Sequence, residues 1–224
     1  MKRVLFWVIG LCSLLLFLIL GVFFFRDGII RIVTEFTIER QTGLKASIGE
    51  MRLRPASSSL LIKNFRIYNP KEFGGSVLLD IPEIYMGFDP NKGSNAAVSF
   101  KELRFHLAEL NVVKNRKGEL NLDSIKDAVG VDARELDHKF GGIDKMVVTL
   151  RTIRFTDMQE PRNNYETDLG VQAEEAKNLK NEDELKAWAV LLAVRIAVQE
   201  KFKAEGKPRG KVGAQSLLEL LKTR

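Results

Sequence analysis

The sequence predicts an α+β protein: an N-terminal transmembrane helix followed by a curved, mainly antiparallel β-sheet module with flanking helices. Three observations predict it. Val4 to Phe25 is an uncharged run of 22 residues. Between Leu44 and Phe155 the apolar residues recur with a period of two, over many short runs. Ala187 to Val198 is apolar except for Arg195 and follows a helix-start signal. With 224 residues, 45% of them hydrophobic and 29% charged, the chain has room for one domain with a sizeable core, and it is too apolar for general disorder. The expected division is a cytoplasmic stub and anchor over 1–25, a β-sheet module with helices over 26–202, and a basic linker with a short tail helix over 203–224.

The first run sets the expected compartment. As a helix rising about 1.5 Å per residue it would reach roughly 33 Å, enough for a hydrocarbon core of about 30 Å. A cleavable signal would have a shorter apolar core and small residues before its cleavage site, whereas Phe23, Phe24 and Phe25 fill this end. Leu11 before Cys12 departs from a lipoprotein signal. Lys2 and Arg3 precede the run, and positive stubs stay in the cytoplasm while long following domains translocate. The expected location is therefore the inner (cytoplasmic) membrane, single-pass, with the N-terminus cytoplasmic and the bulk of the chain periplasmic. Cys12 is the only cysteine, so no intrachain disulfide framework exists.

Past the run, Asp27 to Thr42 reads as a helix, with Ile29, Ile32, Val33 and Phe36 at helical spacing and Gly43 as its stop. The period then becomes two: Leu44, Ala46, Ile48; Phe65, Ile67; Leu79, Ile81; Ile84, Met86, Phe88; Val98, Phe100; Leu103, Phe105, Leu107; Leu110, Val112; and Met146, Val148, Leu150. Turn residues separate the runs at Arg54-Pro55 to Ser59, Asn69-Pro70 to Ser76, Asp89-Pro90 to Asn95 and Asn115 to Gly118. The slips between Phe100 and Leu103 and between Leu107 and Leu110 read as bulges, and Pro82 favours an edge strand or a bulge. This is a meander of roughly six to eight strands with one oily face. Asp123 to Val129 reads as a short helix and Tyr165 to Val171 as a further strand. Asn181 and Glu184 form a capping pair opening a helix to Phe202. On it Leu185, Trp188, Leu192 and Ile196 make one face, expected to dock on the sheet, with Val190, Val194 and Val198 on the other side.

Reactive chemistry is sparse. His106 and His138 have no histidine or cysteine at metal-ligand spacing, and no nucleophile elbow or phosphate loop is present. Gly74-Gly75 and Gly141-Gly142 read as turns, and Glu174-Glu175 and Glu182 to Glu184 as acidic residues near helix starts. The chain is expected not to be an enzyme, with no cofactor, no metal and no catalytic residue. Seven Lys or Arg against two Glu from Lys201 onward carry +5 of the net +6. With Phe202 the one aromatic nearby, this reads as a solubilising or headgroup-attracted tail, not a nucleic-acid site.

The order of features resembles the AsmA-like family of envelope proteins. The residues that carry the resemblance are Thr42-Gly43 leading into the strand to Ile48, then Leu61-Ile62-Lys63-Asn64-Phe65-Arg66-Ile67-Tyr68-Asn69-Pro70 and Phe73-Gly74-Gly75. Ile81-Pro82-Glu83-Ile84, Phe88-Asp89-Pro90, Val112-Val113-Lys114-Asn115 and Gly118-Glu119-Leu120-Asn121-Leu122 follow. They cover about residues 1 to 125 of a short member, where large members have many hundreds. The resemblance implies a membrane-anchored, chorein-like module whose sheet forms a trough shielding acyl chains, in envelope or outer-membrane lipid homeostasis. The expected lining is Phe65, Ile67, Ile84, Met86, Phe88, Leu103, Phe105 and Leu107. The expected partners are the bilayer, a phospholipid or other lipid ligand, and an envelope protein or a second copy. The alternative is a non-enzymatic scaffold or assembly factor binding another envelope protein through a sheet edge or the C-terminal helix.

Overall fold

The structure, a computed structural model, describes residues 27–92, 97–122 and 139–204. Residues 27–42 form helix α1. Six strands follow: β1 (Ala46–Arg54), β2 (Ser59–Tyr68), β3 (Val77–Phe88), β4 (Ala97–Lys114), β5 (Lys139–Asp157) and β6 (Tyr165–Leu179). Helix α2 (Glu182–Ala204) closes the described chain. The strands lie side by side in sequence order in one sheet.

The sheet corrects the expected fold class. Four of its five pairings are antiparallel, but β4 and β5 run parallel over almost their whole length, from Ala97↔Lys139 to Lys114↔Asp157. It is a mixed sheet. A period of two reports which face is wet and says nothing of a neighbour's direction. Direction is set by the connection, and residues 115–138 exceed the dozen or so that a parallel crossover needs. Among the described residues no helix is long and apolar enough to cross a membrane. The run Val4–Phe25, the short helix expected at Asp123–Val129 and the tail helix lie outside the described residues. The Gly141-Gly142 pair is no turn but part of β5, and Glu174-Glu175 lies within β6.

A buried carboxamide ties the start of the crossover to β4. Asn121 is 0% exposed. Its oxygen accepts from the Val113 amide (2.9 Å), and its NH2 donates to Asn69 Oδ1 (2.7 Å) and the Asn111 carbonyl (2.8 Å). Asn115 folds the intervening turn, accepting from the amides of Lys117 and Glu119. Lys114 meets Asp157 at 3.3 Å, joining the ends of the two parallel strands.

Pairing is interrupted along one line that crosses the sheet. It skips Gly49 and Asn64 between β1 and β2, and Asn64 and Pro82 between β2 and β3. It then skips Ile81 and Pro82 with Leu107 and Ala108, and Ala108 with Arg151, before a register shift between β5 and β6. The local causes are visible. Asn64 has a left-handed backbone (φ 51°), and Pro82 lacks an amide to donate. A Cβ on Gly49 would sit 2.9 Å from that of Asn64. Pro82 therefore lies on a central strand, at an interruption, and not at an edge. The slip between Phe100 and Leu103 is a bulge: Gly87 faces Glu102 and Phe88 faces Phe100, leaving Lys101 extra.

The free edge of β1 is covered by α1, through three side chains spaced four apart. Asp27 accepts from the Leu53 amide (3.4 Å), Arg31 donates to the Gly49 carbonyl (3.2 Å), and Glu35 accepts from the Ile48 amide (2.6 Å). A strand edge otherwise offers such groups to any passing chain. Gly43 ends the helix at φ 68°, its amide bonded to the Glu39 carbonyl.

Two measurements test this scaffold. Glu35→Ala removes a charge-assisted bond to a strand amide and should cost about 1.5–3 kcal/mol in chemical denaturation. An unchanged midpoint would mean α1 does not seal the edge. Asp157 is held below the usual carboxylate range chiefly by the Glu160 amide, against its burial, with the Gln159 amide and Lys114 adding to the lowering. A depressed folded pKa stabilises fully above the unfolded value of about 4 and loses that contribution as pH falls through the folded value. Asp157→Asn should therefore be less stable than the parent at pH 7, and the gap should narrow by pH 3. A gap that stays constant would show that Asp157 plays no part in acid unfolding.

Candidate functional site: the apolar face of the sheet

On either side of the interrupted line the apolar residues keep a period of two, and across it they step by three. The steps are Ile48 to Met51, Ile62 to Phe65, Ile81 to Ile84, Leu107 to Leu110 and Leu150 to Ile153. In an unbroken pleat a step of three changes face, whereas one extra residue in each strand restores the face. Because neighbouring strands are interrupted together, their pairing stays in register past the line.

The expected lining residues fall into two apolar fields separated by this line. Ile84 faces Ile62 and Phe105 across its neighbours, and Met86 faces Leu60 and Leu103. Phe88 pairs with Phe100, their rings tilted with centroids 5.3 Å apart. Phe65 and Ile67 belong to the other field, opposite Ile81 and Leu79 of β3 and Ile48 and Ala46 of β1. Leu107 is buried at the line itself. The other seven are all half-buried, neither sealed in a core nor open to water.

Helix α2 covers one end of the first field. Its start is capped by Asn181, which accepts from the Glu184 amide (2.9 Å), while the Glu184 carboxylate accepts from the Lys180 amide (2.7 Å). Leu192 is buried in a cluster with Ile143, Met146, Val148, Val171, Ala176 and Leu179, and Leu185, Trp188 and Ile196 pack against it. Arg195, the one charge in the apolar stretch, reaches Glu174 of β6 at 2.8 Å and pins the helix across the strand. The cluster takes in Phe100, Leu103 and Phe105 but not Ile84, Met86 or Phe88. Trp188 is half-buried, and Leu192 is the residue of that face that is buried. On the far side Val190 is 61% exposed and Leu191 53%, while Val194 and Val198 are half-buried.

The opposite rows carry ion pairs. Arg104 meets Glu83 at 3.0 Å and lies over the Tyr85 ring, and Lys145 meets Glu175 at 3.0 Å. Lys145 is the main reason the Glu175 carboxyl lies below its ordinary range. These exposed pairs contribute little stability each and mark that part of the surface as wet, while Leu78 and Val113 on the same rows are buried towards the Asn121 end. At one end of the sheet a cleft of about 520 Å³ is lined by Lys92, Ser99, Gly141, Asp144, Asn178 and Lys180. Lys92 is tied to Asp144 at 2.6 Å there. A Cβ on Gly141 would clash with Ser99 Oγ, so glycine permits this close approach. Among the described residues no group of three His, Cys, Asp or Glu is placed to hold a metal ion. His106 sits between Glu83 and Thr149 in the pairing register, and His138 lies outside the described residues.

Two features escaped the sequence reading. The spacing of Asp27, Arg31 and Glu35 was a visible signal for a polar contact face on α1. Asn69, Asn111 and Asn121 gave no periodic signal, because a buried amide network joins positions far apart in the chain.

In comparisons with known proteins, no family model matches the chain, and no curated protein or solved structure matches it.

Leu192→Ala should cost about 2–5 kcal/mol, and Trp188→Ala less than the roughly 3–5 kcal/mol of a fully buried aromatic. Chemical denaturation of the two variants would reject the docking of α2 if Leu192→Ala left stability unchanged.

Proposed function

We propose that the chain is a membrane-attached lipid-handling module, in which the half-buried apolar face of the sheet shields an acyl chain from water. The observation that carries this reading is the coordinated step of three across adjacent strands. It keeps one face apolar past the interrupted line and so lengthens an oily face along the strand direction. Ile84, Met86 and Phe88 extend that face beyond the part covered by α2. Removing apolar surface from water contributes about 25 cal/mol per Å², so an acyl chain laid along such a face needs no catalytic residue to be held.

The uncharged run Val4–Phe25 supports attachment to the inner membrane with the bulk of the chain periplasmic. The resemblance to the AsmA-like family, resting on the residues given above, supports a place in envelope or outer-membrane lipid homeostasis. Exposed Val190 and Leu191 on α2 favour a second reading, a scaffold that binds another envelope protein through that helix.

The full chain, purified in a mild detergent, should retain phospholipid detectable by mass spectrometry of an organic extract. Met86→Asp and Phe88→Asp, outside the α2 cluster, should lower retention at least several-fold while circular dichroism stays that of the parent. Phe105→Asp should lower retention and also stability, since it places a charge against the cluster. Unchanged lipid in folded Met86→Asp and Phe88→Asp would reject this lining. Absence of lipid from the parent, with a stable protein partner, would favour the scaffold.

A further inference from the structure

Helix α1 is amphipathic in the reverse of the usual sense. The side turned to the protein carries Asp27, Arg31 and Glu35, all spent on the β1 edge. The side turned away carries Ile29, Ile32, Val33 and Phe36, which are 52%, 59%, 57% and 61% exposed. These four stand at i, i+3, i+4 and i+7, one contiguous stripe along the helix. The exposed residues from Gly28 to Thr37 are all uncharged, and the first exposed charges come at Glu39 and Arg40. A surface helix in water ordinarily turns such a stripe inward.

We propose that this stripe is a bilayer contact, seated in the headgroup–acyl boundary of the membrane to which the chain is attached. The proposal rests on the membrane attachment put forward above. Where the preceding chain ends is the argument for this occupant. The uncharged run stops at Phe25, four residues before Ile29. At no more than about 3.6 Å per residue, Ile29 stays within about 14 Å of that end whatever the intervening conformation. From Ile29 to Phe36 the stripe runs about 10 Å along the helix at about 1.5 Å per residue, and a helix lying in the interface plane would sink this whole face into the headgroup–acyl boundary. The polar side of α1 would then hold β1 against the membrane, with the sheet's first strand nearest the lipid.

The test uses the full chain in vesicles of phosphatidylethanolamine and phosphatidylglycerol. In a Cys12→Ser background, single cysteines replace Phe36 or Gln41 and carry an environment-sensitive nitrobenzoxadiazole label. Both positions are exposed, so neither change disturbs packing. Doxyl lipids should quench the label at 36 at least threefold more than at 41, with a blue-shifted emission at 36. Equal quenching at both positions in vesicle-bound protein overturns the stripe as a bilayer contact. Crosslinking of position 36 to a second copy, without quenching, also overturns it and assigns the stripe to self-association. Failure of the chain to float with vesicles overturns the membrane attachment and the stripe together. Lipid retained by the sheet does not enter the readout, so a failed groove and a failed stripe are told apart.

Discussion

The parallel pairing of β4 with β5 is the constraint on which the remaining architecture depends. Among the described strands these are the longest, of 18 and 19 residues, and each has a neighbour on both sides. A parallel neighbour cannot be reached by a tight turn, so the chain must leave one end of the sheet and return to the other. Asn121 holds the start of that excursion. An unpaired amide in its place would cost the desolvation of several buried groups at once. The antiparallel β6 then follows from β5 by a short connection, and its far end is where α2 must begin. The helix is thereby delivered to the end of the sheet that carries Phe100 and Phe105.

Local features of the fold were legible because they rest on local physics. Gly43 at a left-handed position, the Asn181–Glu184 cap and the extra residue at Lys101 each follow from neighbours within a few positions. So did the pairing of Ile84 with Met86 and Phe88 on a single run. The direction of β5 was not legible, since alternation is the same in either direction. The division of the lining set was half legible. The slip at Leu107 to Leu110 is visible in the sequence, but the step of three at Asn64 that sets Phe65 and Ile67 apart from Ile84 shows only once the strands are paired. Tyr165 to Val171 reads as a strand, and two register shifts hide the continuation of β6 to Leu179.

The inversion of α1 has a similar explanation. Ile29, Ile32, Val33 and Phe36 identify a helix correctly, and ordinary burial logic would then turn them inward. What decides otherwise is the competition for β1's unpaired amides and carbonyls. Those groups are directional and demand charged or polar partners at fixed spacing, whereas apolar contact is available from any oily surface. The side of the helix that could satisfy the edge took the edge, and the apolar side was left outward.

Covering one edge makes the sheet polar in a sense that has nothing to do with charge. β1 is closed by a helix of its own chain, while β6 is the other outermost strand. Among the described residues, an additional strand would meet a helix at β1 and an outermost strand at β6. Among the described residues the sheet is therefore asymmetric, like a rail that is bolted down at one end only. The kinks at Gly170 and Ala173, both with positive φ, give β6 an uneven outline that flat, indiscriminate strand addition would not match.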